Sequence, residues 1–135
     1  MRVRRLVDTN LIVRHLVQDH EKHSREAAKL FDGCDRGDLM LVVLPVVLAE
    51  CVFVLESFYE QPRGAIAGAM TRLIGVPGVE IDHVELYLDA LDRYARTKVH
   101  FVDCVIAATS RAQRVSVATF DQDFRKFPDV RVELN

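Results

Sequence analysis

Hydrophobic and polar positions along this chain follow two different rhythms. Short β-branched runs, VRRLVD (3–8), LMLVVL (39–44), VEI (79–81), VSVAT (115–119) and VRVEL (130–134), read as strands. Between them apolar residues recur at helical spacing. NLIVRHLV follows the first strand, HSREAAKLFDGC comes next, and VVLAECVFVLESFYE runs on from Pro45, a residue suited to a first helical turn. RGAIAGAMTRLIG stops at Gly75 before Val76-Pro77-Gly78. Asp82 stands three residues before Glu85, the spacing of a capping box at the head of HVELYLDALDRYAR. A final helix, FVDCVIAATSRAQR, has a polar end.

Strands alternating with helices predict an α/β fold. The expected form is a three-layer sandwich with a central, mostly parallel twisted sheet of about five strands, flanked by helices on both faces. Its 135 residues, with no repeat, low-complexity tract or long Gly/Ser linker, suit one domain spanning 1–135. In sheets of this kind ligands sit outside the carboxyl ends of the strands. The first strand ends abruptly there, in LVDTNLI, with Asp8 following what reads as a buried apolar run. A second acid, Asp121, follows the strand VSVAT in the turn TFDQDF.

Two helices add acids within apolar surroundings. Glu50 lies among Val46, Val47, Ala49, Val52, Phe53 and Val54, on a helix expected to be largely buried. Asp103 lies in the first turn of FVDCVIAATS, where a helix N-terminus favours a carboxylate. Each acid has an ordinary explanation when taken alone: a cap, a turn residue, or a partner for a buried Arg. Brought together, like-charged carboxylates do not all stay ionised without a cation. An oxygen-only set with no His or Cys favours a hard ion, Mg²⁺ or Mn²⁺.

Composition narrows the classes. Half the residues are hydrophobic, Trp is absent and aromatics are 7%, so the core should be aliphatic. No run approaches the roughly 18 apolar residues of a membrane span, and Asp8 interrupts MRVRRLVDTN too early for a signal peptide. A cytoplasmic protein is expected, with Cys34, Cys51 and Cys104 as buried thiols rather than a disulfide or zinc framework. A net charge of −2 and a pI near 6.2 argue against binding nucleic acid by bulk electrostatics. A local basic rim is still available from Arg2, Arg4 and Arg5, Arg14 with His15, Arg111 with Arg114, and Arg125 with Lys126. His20-x-x-His23 has zinc-like spacing but lies in a polar helix start without further ligands. Cys51 and Cys104 each follow a candidate acid directly, which on a helix turns them about 100° away from it. Tyr59 and Arg63, past the third helix, read as loop residues with an RNA contact as the alternative.

VDTNLI, LAECVFVL, FVDCVIAATS and TFDQDF, in that order over essentially the whole chain, resemble the motifs of PIN-domain ribonucleases. More narrowly, they resemble the toxin half of VapBC-type toxin–antitoxin pairs. The resemblance implies a catalytic and metal-binding set of Asp8, Glu50, Asp103 and Asp121, with Asp123 adding a further acid. Thr9, Asn10 and Thr119 match polar residues that orient the acids or hold water at the metal. It implies an endoribonuclease using one or two Mg²⁺ or Mn²⁺ ions to hydrolyse RNA phosphodiester bonds and so inhibit translation. A cognate antitoxin is implied as partner, and a homodimer is expected. The apolar helices VVLAECVFVLESFYE and RGAIAGAMTRLIG offer a face for either.

Three other readings compete. A non-toxin PIN-domain ribonuclease in RNA processing would carry the same motifs. A phosphorylated receiver module wants a phospho-accepting Asp after the third strand and a Lys after the fifth. Here Asp82 reads as a cap, and VRVELN has no Lys. A catalytically silent RNA-binding domain is disfavoured by the complete acid set and the acidic pI. Asn10, standing where a D-x-D pair would put its second Asp, also argues against a haloacid-dehalogenase-type phosphatase.

Overall fold

The computed structural model describes residues 2–134. The chain divides into two compact units, residues 1–82 and 83–135, and each is described by itself.

The first unit runs β1 (Val3–Leu6), α1 (Thr9–Val17), α2 (Glu21–Asp35), β2 (Leu39–Val42), α3 (Pro45–Ser57), α4 (Arg63–Ile74) and β3 (Val79–Glu80). Its three strands pair in parallel in the order β1-β2-β3, with Val3 opposite Leu39 and Leu41 opposite Val79. Parallel neighbours need crossover helices, which α1 to α4 supply. Ile12, Leu41, Leu48, Cys51, Leu55, Ile66 and Met70 are fully buried and form its aliphatic core. Pro45 opens α3 and Gly75 ends α4 as the sequence predicts. Gly78 enters β3 at φ 85°, and a Cβ there would meet Cys34 Cβ at 2.9 Å and the Leu39 carbonyl oxygen at 3.0 Å. Only glycine satisfies both that backbone and that approach.

The second unit runs α5 (Val84–Arg96), α6 (Phe101–Gln113), β4 (Val117–Ala118), a 3₁₀ turn (Gln122–Lys126) and β5 (Val132–Glu133). Leu91, Tyr94, Val99, Phe101, Cys104 and Phe124 lie in its core, with Tyr94 edge-on to Phe101 at 5.8 Å. Arg93 is buried too. It forms a two-pronged pair with Asp129, at 2.9 and 2.5 Å, a third bond to Asp89 at 3.1 Å, and lies over the Phe127 ring. A guanidinium can be buried at low cost only when its donors are matched in this way.

Among the described residues the α/β class therefore holds, with six helices and five short parallel strands. Three sequence expectations need correction. The strands form two sheets, of three and two strands, rather than one central sheet. β4 and β5 are two residues long and spend their ladder on each other, with Val117 N–H on Arg131 O at 2.8 Å and Thr119 N–H on Glu133 O at 3.0 Å. β1 is not buried: all four residues are exposed, Val3 at 48% and Leu6 at 71%, because it is an edge strand paired only with β2. The capping box at Asp82 does not form, since the N-cap is His83, in the left-handed region at φ 58°. That puts Asp82 outside the helix and Glu85 one position short of the reciprocal bond.

No helix among the described residues is long and apolar enough to cross a membrane. All three cysteines are buried free thiols.

Candidate functional site

In the first unit the chain leaves β1 through buried Val7, whose N–H donates to Val42 O at 3.2 Å, and arrives at Asp8. Asp8 is the N-cap of α1: Oδ1 accepts the Leu11 N–H at 3.0 Å. A carboxylate suits this place because the first N–H groups of a helix have no backbone partners. Oδ2 has no partner among the described residues. Thr9 is buried beside it, while Asn10 projects to solvent.

Glu50 departs from expectation. It is exposed, on a stripe with Val46 and Phe53, whereas Leu48, Cys51, Val52 and Leu55 form the buried side of α3. α1 and α4 pack on that buried side, which leaves the stripe bare although nearly every residue of the helix is apolar. Glu50 lines a pocket of about 360 Å³ with Thr9, Asn10, Arg14, Phe58 and Tyr59. Asp8 lines another of about 270 Å³ with Asn10, Arg14, His23 and Glu26. Asn10 and Arg14, one helical turn apart, border both. Burial chiefly, and then the charges of Glu50 and Asp8, push the Cys51 thiol up to about 12. The two acids thus act on one buried atom, and Cys51 is no nucleophile.

In the second unit Asp103 lies in the first turn of α6, half-buried. It lines a groove of about 520 Å³ with Ile106, Thr109, Thr119, Asp121 and Phe124. Burial raises its carboxyl above the ordinary range, and the charges of Asp121 and Asp123 raise it further, against a smaller opposing effect of His100. Asp121 caps the 3₁₀ turn by accepting the Asp123 N–H at 2.8 Å, and the Asp121 N–H donates to Thr119 Oγ1 at 2.9 Å. Thr119 and Asp123 thereby fix the loop that carries Asp121. Lys126 lies 3.5 Å from Asp123.

Asp8 and Glu50 therefore share the first unit, and Asp103, Asp121 and Asp123 share the second. Among the described residues no group of three or more His, Cys, Asp or Glu stands at metal-binding spacing. The donors nonetheless fit a hard divalent ion. They are all carboxylate oxygens, and the part of the Asp103 rise that comes, after burial, from Asp121 and Asp123 is repulsion that a cation relieves. His20 and His23 serve their own helix: His20 Nδ1 accepts the His23 N–H at 3.1 Å and the rings stack at 3.8 Å.

The sequence offers Arg14 only as part of a basic rim with His15, and gives Phe58 no place at the site. Arg14 pairs with Asp19 at 2.9 Å, and its buried Nε has no partner among the described residues. Its i,i+4 spacing from Asn10 was the available signal. Phe58 had none, because it was read as helical and α3 ends at Ser57.

A protein-family model described as PIN domain matches residues 5–130. No curated protein matches the chain.

Proposed function

The chain belongs to the PIN domain family, and from that premise we propose that it is a metal-dependent endoribonuclease that hydrolyses RNA phosphodiester bonds. PIN domains are generally nucleases, so a hydrolase acting on nucleic acid is the coarse reading. The observation that supports the finer one is that Asp103 and Asp121 line the same groove of the second unit, where burial first and neighbouring carboxylates second raise the Asp103 carboxyl. A bound cation would relieve the repulsive part of that rise.

Asp8 and Glu50 in the first unit, and Asp103 and Asp121 in the second, are the residues that would hold Mg²⁺ or Mn²⁺. When bound, such an ion neutralises charge on the scissile phosphate and makes a water molecule more acidic. The protein's own part is positioning. Thr119 and Asp123 fix the turn that presents Asp121, a carboxylate suited to orient or deprotonate the attacking water. Asp8 is fixed by the helix it caps. No side-chain nucleophile is required, consistent with the buried, weakly acidic thiol at Cys51, which stays protonated at neutral pH.

The role extends to that of a translation-inhibiting toxin with a cognate antitoxin. The bare apolar side chains Val46 and Phe53, beside Glu50 on α3, support a protein partner or a second copy on that stripe. The test is to strip the protein of metal, add Mg²⁺ or Mn²⁺, and map new 5′ ends in total cellular RNA, with Asp103→Asn and EDTA controls. Ends at one or a few sites, absent from both controls, are expected. Identical ends from wild type and Asp103→Asn would reject cleavage by this site.

A further inference from the structure

The pocket beside Glu50 has features that the acid set does not explain. Phe58 is 76% exposed although it directly follows α3. An exposed aromatic ring is a platform on which a base can stack. Its neighbour Tyr59 stands edge-on to it, with ring centroids 4.9 Å apart. Tyr59 is held in turn: its hydroxyl donates to Asp19 Oδ2 at 2.8 Å, and Asp19 Oδ1 pairs with Arg14 at 2.9 Å. Arg14 belongs to α1, so the aromatic pair is tied to the helix that Asp8 caps. The pair is preorganised, and a ligand stacking on it loses little side-chain freedom.

The pocket is of ordinary small-ligand size, and its walls are mixed. Asn10 brings an amide with both donors and an acceptor, the group that reads the edge of a base. Arg14 brings a guanidinium, and Glu50 a carboxylate of the proposed cation site. A helix of a partner protein would want a continuous apolar stripe, which the charged groups interrupt. A flat, uncharged, hydrogen-bonding ring fits them, and every nucleobase has a face that stacks on an aromatic side chain.

We propose that the pocket formed by Asn10, Arg14, Phe58 and Tyr59 is a base-binding subsite, in which an unpaired nucleobase near the scissile phosphate stacks on Phe58 while Asn10 contacts its edge. The inference rests on the nuclease reading for its substrate, and the experiment separates the two.

The probe is a short single-stranded RNA carrying 2-aminopurine, whose fluorescence is quenched on stacking. Binding is measured with the full chain in an Asp103→Asn background with Mg²⁺ present. Cleavage of unlabelled RNA is measured in the otherwise unaltered protein. Quenching is expected on binding. Phe58→Ala should abolish it, weaken binding by about tenfold or more, and raise KM by a similar factor with kcat little changed. Phe58→Trp should restore both quenching and KM, which a defect of folding would not. Unchanged quenching and KM in Phe58→Ala would overturn the subsite while leaving the nuclease intact. So would a Phe58→Ala protein that binds RNA normally but changes its mass in solution, since the ring would then serve a protein interface. Phe58-dependent quenching from a protein that cleaves no RNA would sustain the subsite and sink the nuclease.

Discussion

The two units hold their acids in different ways. In the first, Asp8 and Glu50 line separate pockets, with Asn10 and Arg14 bordering both, and Asp8 is committed to capping α1. In the second, Asp103, Asp121 and Asp123 are close enough for their charges to raise the Asp103 carboxyl. In the first unit Asp8 caps a helix and Glu50 stands exposed, while in the second burial and then neighbouring charges raise the Asp103 carboxyl. An incoming cation gains most where repulsion is already stored. Asp103 should therefore be among the carboxylates that respond most to metal removal.

The largest effect expected is from Asp103→Asn. Losing several kcal/mol of charge stabilisation should lower kcat by roughly a thousandfold, at about 1.4 kcal/mol per decade. Glu50→Gln, removing a carboxylate that would hold the ion directly or through water, should cost about 10–100-fold in Mg²⁺ affinity or activity. Metal titrations of both variants check the order, and a Glu50 variant hurt more than the Asp103 variant would invert the comparison.

Stability should divide along the same line. Asp129→Ala leaves the buried Arg93 with Asp89 alone and should cost about 2 kcal/mol in denaturant unfolding. Arg93 holds the Asp129 carboxyl below its usual range. This contribution is therefore fully present above the unfolded value of about 3.9, and fades as pH falls through the lowered folded value. The gap between wild type and Asp129→Asn should close on acidification, and a constant gap would show that charge is not its source.

In the first unit, Asp8→Ala should lose a helix cap and about 1 kcal/mol, whereas Asp8→Asn should keep most of that stability while lowering the activity. Equal unfolding midpoints for the two variants would deny the cap its role. The smallest effect concerns Cys51: with its thiol at about 12 and no exposed surface, iodoacetamide should not modify it in the native protein at neutral pH.

Local signals in the sequence placed the helices best where short-range chemistry sets an end, as with Pro45 opening α3 and Gly75 closing α4; the cap expected for α5 at Asp82 failed, and the cap Asp8 makes on α1 was not read. Pairing was less legible. A run such as VSVAT shows β propensity but not its partner, and only Val117–Ala118 found one, in β5. Glu50 was misjudged because composition cannot say which side of an apolar helix its neighbours cover. The acids themselves were legible as types at strand ends and helix starts. The division of their surroundings between two pockets of the first unit and one groove of the second was not, since it depends on side chains distant in sequence.

The cap at Asp8 also bears on how such a protein ages in a genome. A gene relieved of its activity can drift freely only where folding does not object. At position 8 folding asks for a short side chain with an oxygen to offer the Leu11 N–H. Silenced descendants should therefore carry Asn or Ser there more readily than a hydrophobe. They would fold as before, and the loss would show as a single atom changed.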